Sequence, residues 1–157
     1  MKNYVSKRRA IDNIEFKPSY LSLSDDEFYS RINNAYNMLD SCGLCPFECN
    51  VNRNHGQKGR CRSDSEIKVA SINIHRGEEP PISIPYGSGT VFFSGCFLRC
   101  KFCQNYPISQ FCNGNNLSVD ELADGFIHLQ DSGVQNINLV TPSHFTPQII
   151  KAVFLAK

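Results

Sequence analysis

An alternation of strand and helix patterns over residues 86–157 predicts an α/β fold with a parallel sheet. Three observations carry that expectation. The run Thr90 to Ser94 is short, β-branched and aromatic, as a buried strand is; Asn136 to Val140 reads as a second strand; and each is followed by a segment with helical spacing. Strands joined through helices imply right-handed crossovers, with the chemistry at the C-terminal ends of the strands.

The elements follow in order. Residues 1–23 show little periodicity and read as a loosely packed lead-in, and the basic triplet Lys7-Arg8-Arg9 reads as a solvated terminal segment. Ser24 followed by Glu27 forms a capping-box signature. Phe28, Ile32, Tyr36 and Leu39 then recur at helical spacing, which predicts a helix from Asp25 to Asp40. Cys42 to Cys61 is rich in Asn, Gly and Cys without usable period, as a metal-organised loop would be. Ile67 to Ile74 alternates well enough for a strand. Residues 77–89 hold three prolines and three glycines and read as a linker. Ser118 and Glu121 form a second capping box, opening a helix through Leu122, Phe126 and Leu129 to a stop at Gly133, and Pro147 suits the first turn of a final helix. Two units are expected: residues 1–85, a helix plus a four-cysteine metal-binding segment, and residues 86–157.

Composition narrows the function classes. Sixteen Lys and Arg against fifteen Asp and Glu give no overall field to attract nucleic acid or an anionic membrane. No apolar run approaches the roughly 20 residues of a membrane span, and the N-terminus lacks the apolar core of a signal peptide, so a cytoplasmic protein is expected. Eight cysteines in 157 residues, about 5%, fall below the level of disulfide scaffolds, and clustered reduced cysteines read as metal ligands.

Those cysteines form two groups and a singleton. Cys96, Cys100 and Cys103 stand in G-C-F-L-R-C-K-F-C-Q-N, a C-x3-C-x2-C run directly after the first strand of the α/β segment. Three thiolates so spaced can hold one face of an iron–sulfur cube, leaving its fourth iron without a protein ligand. A structural zinc site would want a fourth ligand and more regular C-x2-C pairs. Cys42, Cys45, Cys49 and Cys61 supply four thiolates, enough to close a tetrahedral zinc site or to hold a second cubane, and spacing does not separate the two metals or the unligated case. Gly56 and Gly59 give this loop the turn freedom to bring Cys61 back. Cys112 reads as a buried or idle thiol; His55, inside the cysteine loop, reads as a surface side chain with metal ligation as its alternative; His75, Glu78 and Glu79 read as solvated side chains and His128 as a surface or boundary one. Gln104, Asn105 and Tyr106 follow the cysteine loop and are candidates to line a pocket.

The C-x3-C-x2-C run with Phe102 just before its last cysteine resembles the radical S-adenosylmethionine superfamily. The four-cysteine preamble, H-R-G-E-E-P-P-I-S, F-F-S-G-C-F-L-R-C-K-F-C-Q-N-Y-P-I-S-Q and N-I-N-L-V-T-P-S-H-F resemble the branch related to pyruvate formate-lyase activating enzymes, from about residue 36 to the C-terminus. The resemblance implies a [4Fe–4S] cluster on Cys96, Cys100 and Cys103, whose open iron chelates S-adenosylmethionine. Reductive cleavage then releases a 5′-deoxyadenosyl radical that abstracts hydrogen from a protein glycine or another unactivated C–H bond. It also implies Phe102 and Thr141 as cofactor contacts, a reductant protein such as flavodoxin or ferredoxin, and a glycyl radical enzyme as partner. The superfamily's Gly-Gly-Glu segment is replaced here by Val140-Thr141-Pro142-Ser143-His144, leaving backbone carbonyls, Thr141 or His144 to take its role. The fold implied is the N-terminal portion of a partial (βα)6 barrel, two βα units long, with exposed edges and weak cofactor binding as the expectation for a truncated chain. The alternative function is a non-catalytic iron–sulfur or zinc binding module.

Overall fold

The computed structural model describes residues 18–83 and 86–157. Their elements run, after a 3-10 turn at Ser19–Ser22, as α1 (Asp25–Asn37), a 3-10 turn at Arg53–His55, β1 (Ile67–His75), α2 (Pro80–Ser83), β2 (Ser88–Phe93), α3 (Tyr106–Ser109), β3 (Asn115–Leu117), α4 (Val119–Asp131), β4 (Ile137–Val140), a 3-10 turn at Ser143–Phe145 and α5 (Thr146–Leu155). The basic triplet and most of the expected lead-in lie outside the described residues.

The α/β class stands, but the barrel expectation is overturned. The described strands form one four-stranded mixed sheet in the order β3-β1-β2-β4, with no (βα)6 barrel. Only β2 and β4 are parallel, Gly89 to Phe92 opposite Ile137 to Val140. β1 runs antiparallel to β2, with His75 opposite Ser88 and Val69 opposite Phe93, and β3 runs antiparallel to β1. The physical reason is the long β1. Its nine residues take the edge of β2 opposite β4, where an all-parallel sheet would need another parallel strand, and its own far edge pairs with β3.

Local chemistry explains the helices. At α4 the Ser118 hydroxyl accepts from the Glu121 N–H (3.1 Å) while the Glu121 carboxylate accepts from the Ser118 N–H (2.7 Å), a reciprocal cap. At α1 only half of the expected box forms: Ser24 accepts from the Glu27 N–H at 3.2 Å. α5 opens on Pro147, whose missing N–H costs nothing in a first turn.

Packing follows the apolar stripes. Ile67 and Val69 of β1, Val91 and Phe93 of β2, Leu122, Phe126 and Leu129 of α4, and Phe145, Ile149 and Ala152 form one core, so the strand before residue 85 and those after it share a single interior. A smaller cluster joins Phe28 and Ile32 of α1 to Phe154 of α5, with the Phe28 and Phe154 rings 5.1 Å apart. β4 is an edge strand, and all four of its residues are half-buried. Among the described residues no helix is long and apolar enough to cross a membrane.

Candidate metal centre

The parallel pair fixes where the chemistry-bearing residues meet. Because β2 and β4 run the same way in register, their C-terminal ends lie side by side. The Cys96–Cys103 loop leaves the end of β2, and Thr141 follows the end of β4. Thr141 has a left-handed φ of 57°, a costly backbone state for a β-branched residue.

The root of the Cys96 loop is pinned from every side. Ser94 N–H donates to the Lys68 carbonyl (2.9 Å), Ser94 Oγ to the Asn113 carbonyl (2.6 Å), and Gly95 N–H to the Ile108 carbonyl (3.0 Å). His144, buried at the turn after β4, donates from Nε2 to the Ser94 carbonyl at 2.8 Å. That bond leaves Nδ1 unprotonated, and no described residue reaches it. Burial, reinforced by the nearby Arg53 charge and opposed by the Ser94 bond, pushes the His144 pKa down to about 4. The imidazole is therefore a neutral strut at neutral pH. Gly95 has a φ of 87°, and a Cβ there would stand 2.6 Å from the Cys61 carbonyl and 2.7 Å from Ser63 Oγ. Only glycine lets the two cysteine loops approach this closely.

Beyond its root the loop opens to solvent. Cys96, Cys100 and Cys103 are each half-buried, and Phe102 is 91% exposed. Ser109 Oγ donates to Cys103 Sγ at 3.2 Å, and the Cys103 N–H donates to the Cys100 carbonyl at 3.3 Å. Arg99 holds a left-handed φ of 51° within the loop.

The Cys42–Cys61 loop is built differently. Cys42 and Cys61 are buried, whereas Cys45 and Cys49 are half-buried. Cys42 exchanges backbone hydrogen bonds with Val51 (3.0 Å) and Asn50 (3.1 Å), closing the turn that carries Cys45 and Cys49. The Arg60 N–H donates to Cys49 Sγ at 3.3 Å. The Arg60 side chain crosses to the other loop, donating to the Phe97 carbonyl (3.0 Å), and its guanidinium lies 4.3 Å over the Phe47 ring. Gln110 completes the join. Its carbonyl accepts from Arg62 (2.9 Å), and its side chain accepts from Arg99 (3.0 Å) and donates to the Cys100 carbonyl (3.5 Å).

Among the described residues, no three Cys, His, Asp or Glu side chains are gathered closely enough to hold a metal ion in this conformation. The donor set still fits an iron–sulfur cluster in kind: three thiols on one short loop, all reachable from solvent, one already accepting a hydrogen bond at sulfur. His55, His75 and His128 are exposed, Gln104 and Tyr106 are exposed and Asn105 is half-buried. Cys112 lines a polar cavity with Lys58, Arg62, Lys68 and Ser94. The sequence reading missed two residues, Arg53 and Gln110, both buried. Both lie inside the cysteine segments, yet polar side chains default to solvent in any pattern-based reading.

The sequence is similar to two proteins of Methanocaldococcus jannaschii. It is 36% identical to uncharacterized protein MJ0674 over 114 residues, covering 69% of this chain and 30% of that protein. It is 32% identical to uncharacterized protein MJ0808 over 93 residues, covering 48% of this chain and 27% of that protein. The chain thus spans less than a third of the length of either relative. No family model matches the sequence, and no solved structure matches it significantly.

Proposed function

We propose that this chain carries the cluster-binding part of a radical S-adenosylmethionine enzyme resembling the pyruvate formate-lyase activating enzymes. The observation that supports this best is the placement of the C-x3-C-x2-C loop. It leaves the C-terminal end of β2 beside the equivalent end of its parallel neighbour β4, with its root hydrogen-bonded at Ser94 and Gly95. The reading rests on this loop and not on a barrel.

Cys96, Cys100 and Cys103 would hold a [4Fe–4S] cluster, with Ser109 donating to the Cys103 sulfur and so tuning its donor strength. When bound, such a cluster supplies the electron that cleaves S-adenosylmethionine and its open iron anchors the cofactor. The protein's own part is positioning. His144 and Gly95 fix the root of the loop against the Cys61 segment, and Gln110, itself held by Arg99, holds the Cys100 carbonyl. Phe102, exposed beside Cys103, would offer an apolar face to the cofactor, and Thr141 follows directly on the end of β4. A flavodoxin or ferredoxin would supply the electron, and a glycyl radical enzyme is the partner that the resemblance suggests.

The test is anaerobic reconstitution with iron and sulfide, reduction, and assay for 5′-deoxyadenosine. Its formation, abolished by Cys100→Ala, is the expected result. Stoichiometric cluster without cleavage favours the non-catalytic iron–sulfur module, and absence of both overturns the reading.

A further inference from the structure

Among the described residues, Arg53 is the largest side chain with no exposed surface. Its guanidinium is charged at any pH the fold survives. Nε (3.1 Å) and Nη2 both donate to the Asp64 backbone carbonyl, and Nη1 points at Cys42 Sγ, 3.8 Å away. Among the described residues no carboxylate pairs with it. The Asp64 carboxylate, the obvious neighbour, turns instead to Lys58 (3.5 Å) and accepts from the Glu66 N–H (3.1 Å). A buried charge facing only neutral groups is strongly disfavoured, so native folds pair it. Besides the Asp64 carbonyl, the guanidinium meets the Phe145 ring, whose centre is 5.8 Å away, and the sulfur of Cys42. Cys42 is its direct contact, its charge also reaches the buried Cys61, and Cys42 and Cys61 are close enough to feel each other.

Neutral thiols do not balance a guanidinium, but metal-bound thiolates do. A divalent zinc ion or a cubane held by four thiolates is a dianion, so either would place negative charge where Arg53 presents positive charge. We propose that Arg53 is the counter-charge of an anionic metal–thiolate centre formed by Cys42, Cys45, Cys49 and Cys61. Cys42 and Cys61 are its buried half; no three of the four side chains are gathered in this conformation, so the half-buried Cys45 and Cys49 close in from their turn when metal binds. The Arg60 N–H on Cys49 Sγ adds a sulfur hydrogen bond of the kind that supports metal-bound thiolates. The inference stands on this loop alone and does not depend on S-adenosylmethionine chemistry at Cys96, Cys100 and Cys103.

The experiment uses the full chain with Cys96, Cys100 and Cys103 all changed to Ala, so that only the four-cysteine group can bind. Zinc is titrated against a competing chelator, and iron and sulfide are offered separately under anaerobic conditions. One zinc per chain, or a cubane with its visible absorption, is the expected result, and which of them binds identifies the metal. Arg53→Met should weaken the binding about 10- to 100-fold, and Arg53→Lys, which keeps the charge, should recover most of it. A melting comparison covers the case in which Arg53→Met folds poorly. Added metal should raise the melting temperature of the parent far more than that of Arg53→Met, and the two should respond alike once Cys42 and Cys61 are both Ser. Three results would overturn the proposal: no stoichiometric metal in the parent, equal metal affinity with Arg53→Met, or the same metal-dependent shift in both. Failure of the S-adenosylmethionine reading would show separately, as no 5′-deoxyadenosine from the unaltered chain.

Discussion

The two cysteine loops touch each other, yet they are built on opposite principles. The Cys42–Cys61 loop wraps a fully buried arginine and hides two of its four thiols, so its side chains are part of the interior. The Cys96–Cys103 loop is buried only at its root; beyond it the backbone is tied by Arg60 and Gln110, its three thiols are half-buried and Phe102 stands in solvent. One loop buries two of its thiols in the interior, and the other leaves all three at the surface. Binding and catalytic groups on a loop carried by a rigid scaffold show this second pattern.

The contrast predicts opposite phenotypes. Ala at Cys96, Cys100 or Cys103 should eliminate the reconstituted cluster of that loop, because two thiolates do not hold a cube, while the melting temperature of the metal-free chain stays put. Iron analysis beside a thermal melt reads both, and Cys112→Ala should leave the iron content unchanged. A large stability loss in the Cys100 variant would break the comparison.

Leu39 is completely buried at the foot of the other loop, where its carbonyl accepts the Arg53 N–H at 2.8 Å. Leu39→Ala should cost about 2–5 kcal/mol in denaturant unfolding. A cost below about 1 kcal/mol would mean that this loop is not part of the core after all.

His144 sharpens the comparison through pH. In the folded chain burial keeps it neutral down to about 4, whereas an unfolded imidazole takes up its proton near 6.5. Between those values the unfolded state binds more protons, so stability falls as the pH drops through the window. The largest loss this shift allows is about 3 kcal/mol, complete below pH 4. Unfolding curves from pH 7 to 4 should show it, and His144→Gln should flatten them. The smallest effect belongs to Phe102. At 91% exposure, Phe102→Ala should change stability by less than about 0.5 kcal/mol while weakening S-adenosylmethionine binding.

How much of this was legible in the sequence follows from how local each signal is. Ser118 and Glu121 announce their helix because cap and partner lie three residues apart, and Ile137 to Val140 reads as a strand from its own composition. The antiparallel pairing of β1 with β2 is not legible, since nothing in Ile67 to Ile74 says which neighbour it takes. Residues 77–89 look like a linker because of their prolines, yet Pro80–Ser83 forms a helical turn and Ser88 and Gly89 already belong to β2. Asn115–Leu117 carries no strand propensity and becomes β3 only because β1 offers it an edge. At the candidate site the cysteines are legible as a pattern. Their supports, Arg53, Gln110 and the His144 bond to Ser94, are long-range contacts and are not.

The central claim is that Cys96, Cys100 and Cys103 hold a cluster with one iron open to S-adenosylmethionine. Electron paramagnetic resonance of the reduced, reconstituted chain tests it most directly, with Cys42, Cys45, Cys49 and Cys61 intact and the Cys96/Cys100/Cys103 triple Ala variant as the baseline. The account predicts a cluster signal absent from the variant, arising from about four iron per chain, that changes shape when S-adenosylmethionine is added. A signal identical in chain and variant, or one indifferent to S-adenosylmethionine, would contradict it.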